Sequence, residues 1–466
     1  MRVGVLAVLT AAALAGCTLA PTYKRPSAPI PTAWPQGESY APPVAGPSAQ
    51  AVAWTAFFGD PKLQAILAQA LAENRDLRAA VAEIEAARAG FRARRADLLP
   101  TVAASASGVQ ERVPGWRTAT GQAETQRAYS AALGFSAFEI DLFGRLRSLS
   151  RSAFEQYLAT EAGRRAVQAS LIAETATNYY ALAADLDLLI IAKQTYAAQK
   201  GSLDLIRARF EHGAASMIEV RQAETTVEQA RSDIARFTTQ AAQDRNALEL
   251  AAGGPVAEAL LPTGLPAAPQ VMVDLPAGLS SDVLLSRPDV LQAEHQLKAS
   301  NAEIGAARAA FFPTISLSAA AGAASPALSA LFDGPSRTWS YSPAAAAPIF
   351  AGGRNLANLR GASARRDIAV AQYEKAIQTA FREVADALAR RGSIGDQLAA
   401  DQAQRDAAAE ILRLETARYE RGASGYLNVL IAQRSLYAAQ QGLVATQLVQ
   451  LTNAISLYRA LGGGVS

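Results

Sequence analysis

Residues 208–216 read ARFEHGAAS and residues 417–425 read ARYERGASG, the same order of aromatic, charge and glycine 209 positions apart. The likeness extends well beyond these nine residues. RADLLPTV at 95–102 matches RAAFFPTI at 308–315, and NRDLRAA at 74–80 matches RPDVLQA at 287–293, both at an offset of 213. DLFGRLR at 141–147 faces PIFAGGRNL at 348–356. Matches that keep one order along both halves mark an internal duplication over roughly 61–250 and 281–461. The fold must therefore be one plan built twice.

Each half opens with a helical pattern, 61–98 and 281–311; Leu63, Ile66, Leu67, Ala70 and Leu71 recur at helical spacing. Pro100 and Pro313 end these helices. Two strand-like segments come next. TISLSAAAG alternates Ile315, Leu317 and Ala319 on one face with Thr314, Ser316 and Ser318 on the other. The spacing predicts strands at 101–113 and 127–140 in the first half, and at 314–324 and 338–350 in the second. Pro343 and Pro348 count against an ordinary central strand in the last of these.

A very long helix-compatible run then extends from Arg145 to His212, 68 positions, and from Gly353 to Arg421, 69 positions. At 1.5 Å per residue each would reach about 100 Å, more than a globular domain can house. The repeated nonapeptide closes both runs, with glycine after a charged residue, a helix C-terminal signature. It predicts hairpin tips at 212–216 and 421–425, then return helices 216–250 and 425–461. Between the halves, 251–280 has the proline and glycine content of a connector, and 462–466 form a tail.

The N-terminus reads as an export signal: Arg2, an apolar run from Val3 to Leu14, then Leu14-Ala15-Gly16-Cys17. Cys17 is the only cysteine, at the position where a bacterial lipoprotein box is cleaved and acylated, so residues 1–16 are expected to be removed. More than one acyl chain makes a stable anchor. Residues 17–60 are expected to form a proline-rich, extended arm.

Several function classes are excluded. A net charge of +3 gives no electrostatic case for nucleic acid. One cysteine and two histidines cannot assemble a His/Cys metal cluster. Neither His212 nor His295 has a nucleophile elbow or phosphate loop beside it, so neither catalysis nor a cofactor is expected. No apolar run is long enough for a permanent transmembrane helix, so a membrane crossing requires a closed β-barrel. Four strands cannot close one, since the smallest transmembrane barrels have eight; several copies of the chain must pool their strands. Two copies would give eight strands and three would give twelve.

The motifs LAGC, PTYKRP, LLSRPDVLQAEHQL, RAAFFPTISLSA, PIFAGGRNLANL, ARYERGASGYLNVLIAQRSL and LTNAISLYRALGGG, in this order, span essentially the whole mature chain. In them the chain resembles the TolC-like outer-membrane efflux channels, of the lipoprotein type that works with resistance-nodulation-division drug pumps. The resemblance implies a mainly α chain with a membrane β-barrel. A homotrimer would share a 12-stranded outer-membrane barrel, four strands per chain, and a 12-helix periplasmic tunnel. It implies a periplasmic adaptor protein at the helix tips, an inner-membrane pump that supplies the energy, and outer-membrane lipid around the barrel. Carried over residue by residue, Arg209, Gly213 and Ala214 and their counterparts Arg418, Gly422 and Ala423 would form the adaptor-binding caps. Glu219, Tyr419, Leu427, Asn428 and Ile431 would form the periplasmic gate. Asn428 and Ile431 stand where the family commonly has aspartates, so a neutral, partly apolar constriction is expected. A protein-secretion channel of the same fold is the nearest alternative. A pore-free lipid-anchored coiled-coil scaffold is a further one; it leaves the paired alternating segments without a purpose.

Overall fold

The computed structural model describes residues 18–40, 52–272 and 280–464. Cys17 lies outside the described residues. The ordered elements run as α1 (Trp54–Phe57), α2 (Pro61–Glu73), α3 (Arg75–Ala96), β1 (Ala103–Val113), β2 (Glu124–Ile140), α4 (Arg145–Glu211) and α5 (Met217–Ala252). They continue as α6 (Pro288–Ala309), β3 (Thr314–Ser325), β4 (Arg337–Ala346), α7 (Arg354–Glu420) and α8 (Tyr426–Ala460). The two long helices, α4 and α7, have 67 residues each, and their return helices have 36 and 35.

Three sequence expectations need correction. The helix expected over 61–98 is broken at Asn74, which has extended backbone. Its side-chain amide donates to the Ala251 carbonyl, and its Oδ1 accepts from the backbone amides of Asp76 and Leu77, so one side chain caps α3 and ties the break to Ala251. Gly253, at φ 80°, packs on this break so closely that a Cβ there would lie 2.5 Å from the Glu73 carbonyl carbon. The helix expected over 281–311 begins as a 3-10 turn at Ser281–Ser286 and becomes α-helical only at Pro288, whose ring suits a first helical position. The strand expected over 338–350 stops at Ala346. It does run through Pro343, which faces Leu317. Pro343 is tolerated because β4 is the last strand of the chain's sheet, where a missing donor need not break a ladder.

The chain divides into two units. One comprises residues up to 27, 83–160 and 292–373; the other comprises 28–82, 161–291 and 374 onward. The first unit carries a four-stranded antiparallel sheet in the order β1-β2-β3-β4. A bulge between Phe135 and Phe138 bends β2, with Ala137 at φ 50° and its amide donating to Ser318 Oγ at 2.9 Å. Ten to seventeen residues per strand suffice to cross an apolar band about 25 Å tall. β4 is exposed along its whole length and β1 along all but Val113. β3 and the part of β2 from Tyr129 onward are largely half-buried, so the open surface lies mainly on the two outer strands, which need lipid or another copy. Among the described residues, no helix is long and apolar enough to cross a membrane.

In this unit the arm is pinned without helix or strand. Glu294, buried, receives Tyr23 Oη at 3.0 Å, Arg25 at 3.0 and 2.7 Å, and the Lys298 ammonium at 3.2 Å. The tyrosine and arginine of PTYKRP are thus hooks for one buried carboxylate.

The second unit holds an aromatic core in which the Phe57 ring stacks on Tyr458 at 4.1 Å. The buried Arg287 guanidinium donates to Asp289 (2.7 Å), Glu383 (3.0 Å) and the Ala460 carbonyl (2.6 Å). Pairing of this kind is what a buried guanidinium requires.

The hairpin tips as candidate functional site

The two tips end their long helices identically. Gly213 and Gly422 both sit at φ 72°, in the left-handed region. Their amides donate to Phe210 and Tyr419 carbonyls at 2.9 and 3.0 Å, and the next amides, of Ala214 and Ala423, reach Arg209 and Arg418 carbonyls at 2.7 and 2.9 Å. This double bond pattern is the Schellman motif. A Cβ added at either glycine would meet nothing within 4 Å, so the backbone angle alone requires glycine there.

Beyond the turn the two copies diverge. Ser216 caps α5: its hydroxyl accepts from the Glu219 amide at 3.2 Å, and the Glu219 carboxylate accepts from the Ser216 amide at 2.7 Å. Such a capping box satisfies two otherwise orphan donors. The matching positions in the second copy are Gly425 and Asn428, and Gly425 caps α8 with no side chain. The polar groups there turn back toward α7. Asn428 Nδ2 donates to Ser424 Oγ at 2.9 Å, Ser424 Oγ donates to Glu415 Oε2 at 2.7 Å, and Arg418 donates to Glu415 Oε1 at 2.8 Å.

One apolar cluster joins the two hairpins. Leu203, Ile206 and Val220 of the first pack with Tyr419, Tyr426 and Leu430 of the second, all buried. The Arg209 guanidinium lies over the Tyr419 ring at 4.8 Å, and Tyr419 and Tyr426 rings are 5.6 Å apart. Burial raises the Tyr419 hydroxyl pKa; Arg209 opposes the shift and Glu219 adds to it. Burial pushes Tyr426 up to about 12. Both rings are therefore neutral at any physiological pH. Leu427 and Ile431, one helical turn apart on α8, stay outside this cluster, 52% and 55% exposed. Ile218, the counterpart of Leu427, is 69% exposed.

Of the residues singled out from sequence, the structure brings Arg209 and Tyr419 together and occupies Glu219 with its own helix cap. Asn428 joins the Ser424–Glu415 chain, while Leu427 and Ile431 share an open face. Three features were missed. Ser-x-x-Glu at 216–219 was a readable capping signature. Tyr426 was hidden because its counterpart is Met217. A buried carboxylate of α5, Asp233, accepts from Tyr437 Oη of α8 at 3.1 Å and from Arg236 at 2.8 Å; this pairing has no local signal.

A sequence profile of the outer membrane efflux protein family matches residues 66–254 and 279–463. The chain is 46% identical over 461 residues to the probable efflux pump outer membrane protein TtgC of Pseudomonas putida, covering 98% of this chain and 94% of that one. It is 41% identical to the outer membrane protein OprJ of Pseudomonas aeruginosa, covering 99% and 96%. Among solved structures, the open-state MtrE outer membrane channel of Neisseria gonorrhoeae superposes with a TM-score of 0.87 at 37% identity, covering 97% of this chain and 99% of that one. A membrane protein from Pseudomonas aeruginosa superposes at 0.89 with 40% identity, covering 96% and 98%.

Proposed function

The chain belongs to the outer membrane efflux protein family, and on that premise we infer that it is the outer-membrane channel of an efflux pump. The observation that carries this reading is the pairing of a four-stranded sheet, open along its outer strands, with two 67-residue helices. Three copies close a 12-stranded barrel in the outer membrane and a 12-helix tunnel in the periplasm. The chain makes no bonds and breaks none; it is a passive duct, and energy comes from an inner-membrane transporter of the resistance-nodulation-division type. Relatives named for toluene and antibiotic efflux favour small, largely apolar cargo. Acylation at Cys17 holds the arm at the membrane.

The tips receive the periplasmic adaptor. Arg209, Gly213 and Ala214 in the first hairpin, and Arg418, Gly422 and Ala423 in the second, present two equivalent turns to it. Leu427, Asn428 and Ile431 narrow the entrance. A ring of these side chains is neutral and partly apolar, so it closes by packing and dewetting rather than by holding a cation. Glu219 and Tyr419 support the gate from behind, Glu219 by fixing the start of α5 and Tyr419 by joining the hairpins.

The test is deletion of the gene followed by drug- and solvent-susceptibility assays, with complementation by the intact chain. Hypersusceptibility restored by complementation is expected, together with a heat-resistant trimer in the outer-membrane fraction. Unchanged susceptibility, with the protein monomeric and periplasmic, would contradict it and favour the scaffold.

A further inference from the structure

A cluster of arginines lies where helices meet the sheet. α3 ends with Arg92, Arg94 and Arg95, and α6 with Arg308. α4 opens with Arg145 and Arg147 and reaches Arg151 a turn later, while α7 opens with Arg354 and reaches Arg360. Over 92–102, 139–151, 303–313 and 347–360 there are nine arginines against four acids (Asp97, Glu139, Asp141 and Glu303), a net +5. The whole chain carries +3, so everything else nets −2.

Contacts within this unit draw these segments together. Phe143 stacks on Phe312 at 4.7 Å, and Asn355 Nδ2 donates to the Ala310 carbonyl at 2.9 Å. Arg308 donates to the Leu19 carbonyl at 3.1 Å, two residues beyond Cys17. The placement also runs against local electrostatics. A helix N-terminus favours acids; α4 takes one from just before it, Asp141, which accepts the Arg147 amide at 2.9 Å, whereas α7 has no acid in its first turn. Arg145 and Arg147 are compensated by Glu139 and Asp141. Arg95, Arg354 and Arg360 are exposed and have no carboxylate partner among the described residues. Beside them stand exposed apolar side chains: Leu99, Phe311, Phe312, and Ile349 and Phe350 at 94% and 90%. An apolar fringe followed at once by unpaired arginines has the layering of a membrane–water interface, with hydrocarbon first and headgroups next.

We propose that this arginine collar binds the phosphodiester headgroups of anionic glycerophospholipids in the leaflet that receives the Cys17 acyl chains. The inference rests on the outer-membrane channel reading. It adds a defined lipid class and a defined level to it. The guanidinium fork suits a phosphate, and the collar sets the depth at which the sheet sits.

Native mass spectrometry of the full-length trimer in detergent, offered phosphatidylglycerol or phosphatidylcholine with identical acyl chains, tests it. Expected is a preference for phosphatidylglycerol of about tenfold or more, weakened by salt. A combined Arg95→Gln, Arg354→Gln and Arg360→Gln variant should lose most of it. The same three changes to lysine, which keep the charge and lose the fork, should retain part of it. Equal uptake of both lipids by the unaltered trimer, or a preference that survives the glutamine variant, overturns the proposal. Dissociation of the glutamine variant, with the unaltered trimer indifferent to lipid charge, assigns the arginines to contacts between copies and overturns it too. Absence of any heat-resistant trimer in the unaltered protein would instead strike the channel reading itself.

Discussion

The first tip and the second share a turn, bond for bond, and differ in the helix start beyond it. The first return helix starts from a reciprocal Ser216–Glu219 cap. The second starts from Gly425 with no side-chain cap, and spends its polar groups on the link Asn428–Ser424–Glu415. The first hairpin thus has a self-contained helix start, and its two arms are tied further along by Arg207 of α4 on Glu224 of α5 at 2.8 Å. The second is held by a latch that can open without unwinding a helix. In the proposed gate, the first hairpin is the post and the second is the leaf.

The difference continues further along. Asp185 and Asp244 face one another across α4 and α5, where the equivalent positions of α7 and α8 hold Ile394 and Asn453. Burial, and after it the neighbouring Asp244, pushes the Asp185 carboxyl up to about 7.

The largest expected effect contrasts Tyr426 with its counterpart Met217. Tyr426 is 2% exposed in the shared cluster and Met217 is 46% exposed. Tyr426→Ala should destabilise the tips by about 3–5 kcal/mol, whereas Met217→Ala should stay within about 0.5 kcal/mol, as judged by thermal unfolding in detergent. Equal losses would mean the hairpins do not share a core. Next, Gly213→Val and Gly422→Val should each cost about 1–2 kcal/mol, because both force a β-branched residue to positive φ. Here the two tips should behave alike, and adaptor capture in pull-downs should fall for both. A smaller contrast comes from the caps. Ser216→Ala should cost about 1 kcal/mol, while Gly425→Ser should stabilise α8 by a few tenths, readable by hydrogen exchange at each helix start. The smallest is the pH response, since the Asp185–Asp244 pair is half-exposed and screened. The folded carboxyl binds its proton up to about 7 while the unfolded one releases it near 3.8. The pair therefore costs stability progressively as pH rises through that window, with no further change above it. Asp185→Asn should flatten this slope between those limits in pH-dependent melting.

The duplication, the equal long helices and the tip glycines were legible because each rests on a local rule: period, helix rise, or a backbone angle only glycine tolerates. Where tertiary contacts decide, the sequence fell short. Asn74 breaks a strongly periodic helix because Ala251 and Gly253 pack against it from 177 and 179 positions away. β4, by contrast, stops at Ala346, two residues short of Pro348, which was the readable warning against the longer strand. At the site, Glu219 was legible as an acid at the right place, but its engagement by Ser216 required attention to the cap. Tyr426 and the Tyr437–Asp233 bond were silent because a buried partner on another helix leaves no mark on neighbouring residues.

The most direct measurement is single-channel conductance of the purified protein in a planar bilayer, comparing the unaltered chain with Glu415→Gln and Ser216→Ala. Expected are uniform conductance steps that divalent cations on the tip side block only weakly, with opening increased by Glu415→Gln and little altered by Ser216→Ala. A folded trimer that passes no current, or one blocked strongly by divalent cations and equally indifferent to both substitutions, would contradict a neutral gate carried by the second hairpin.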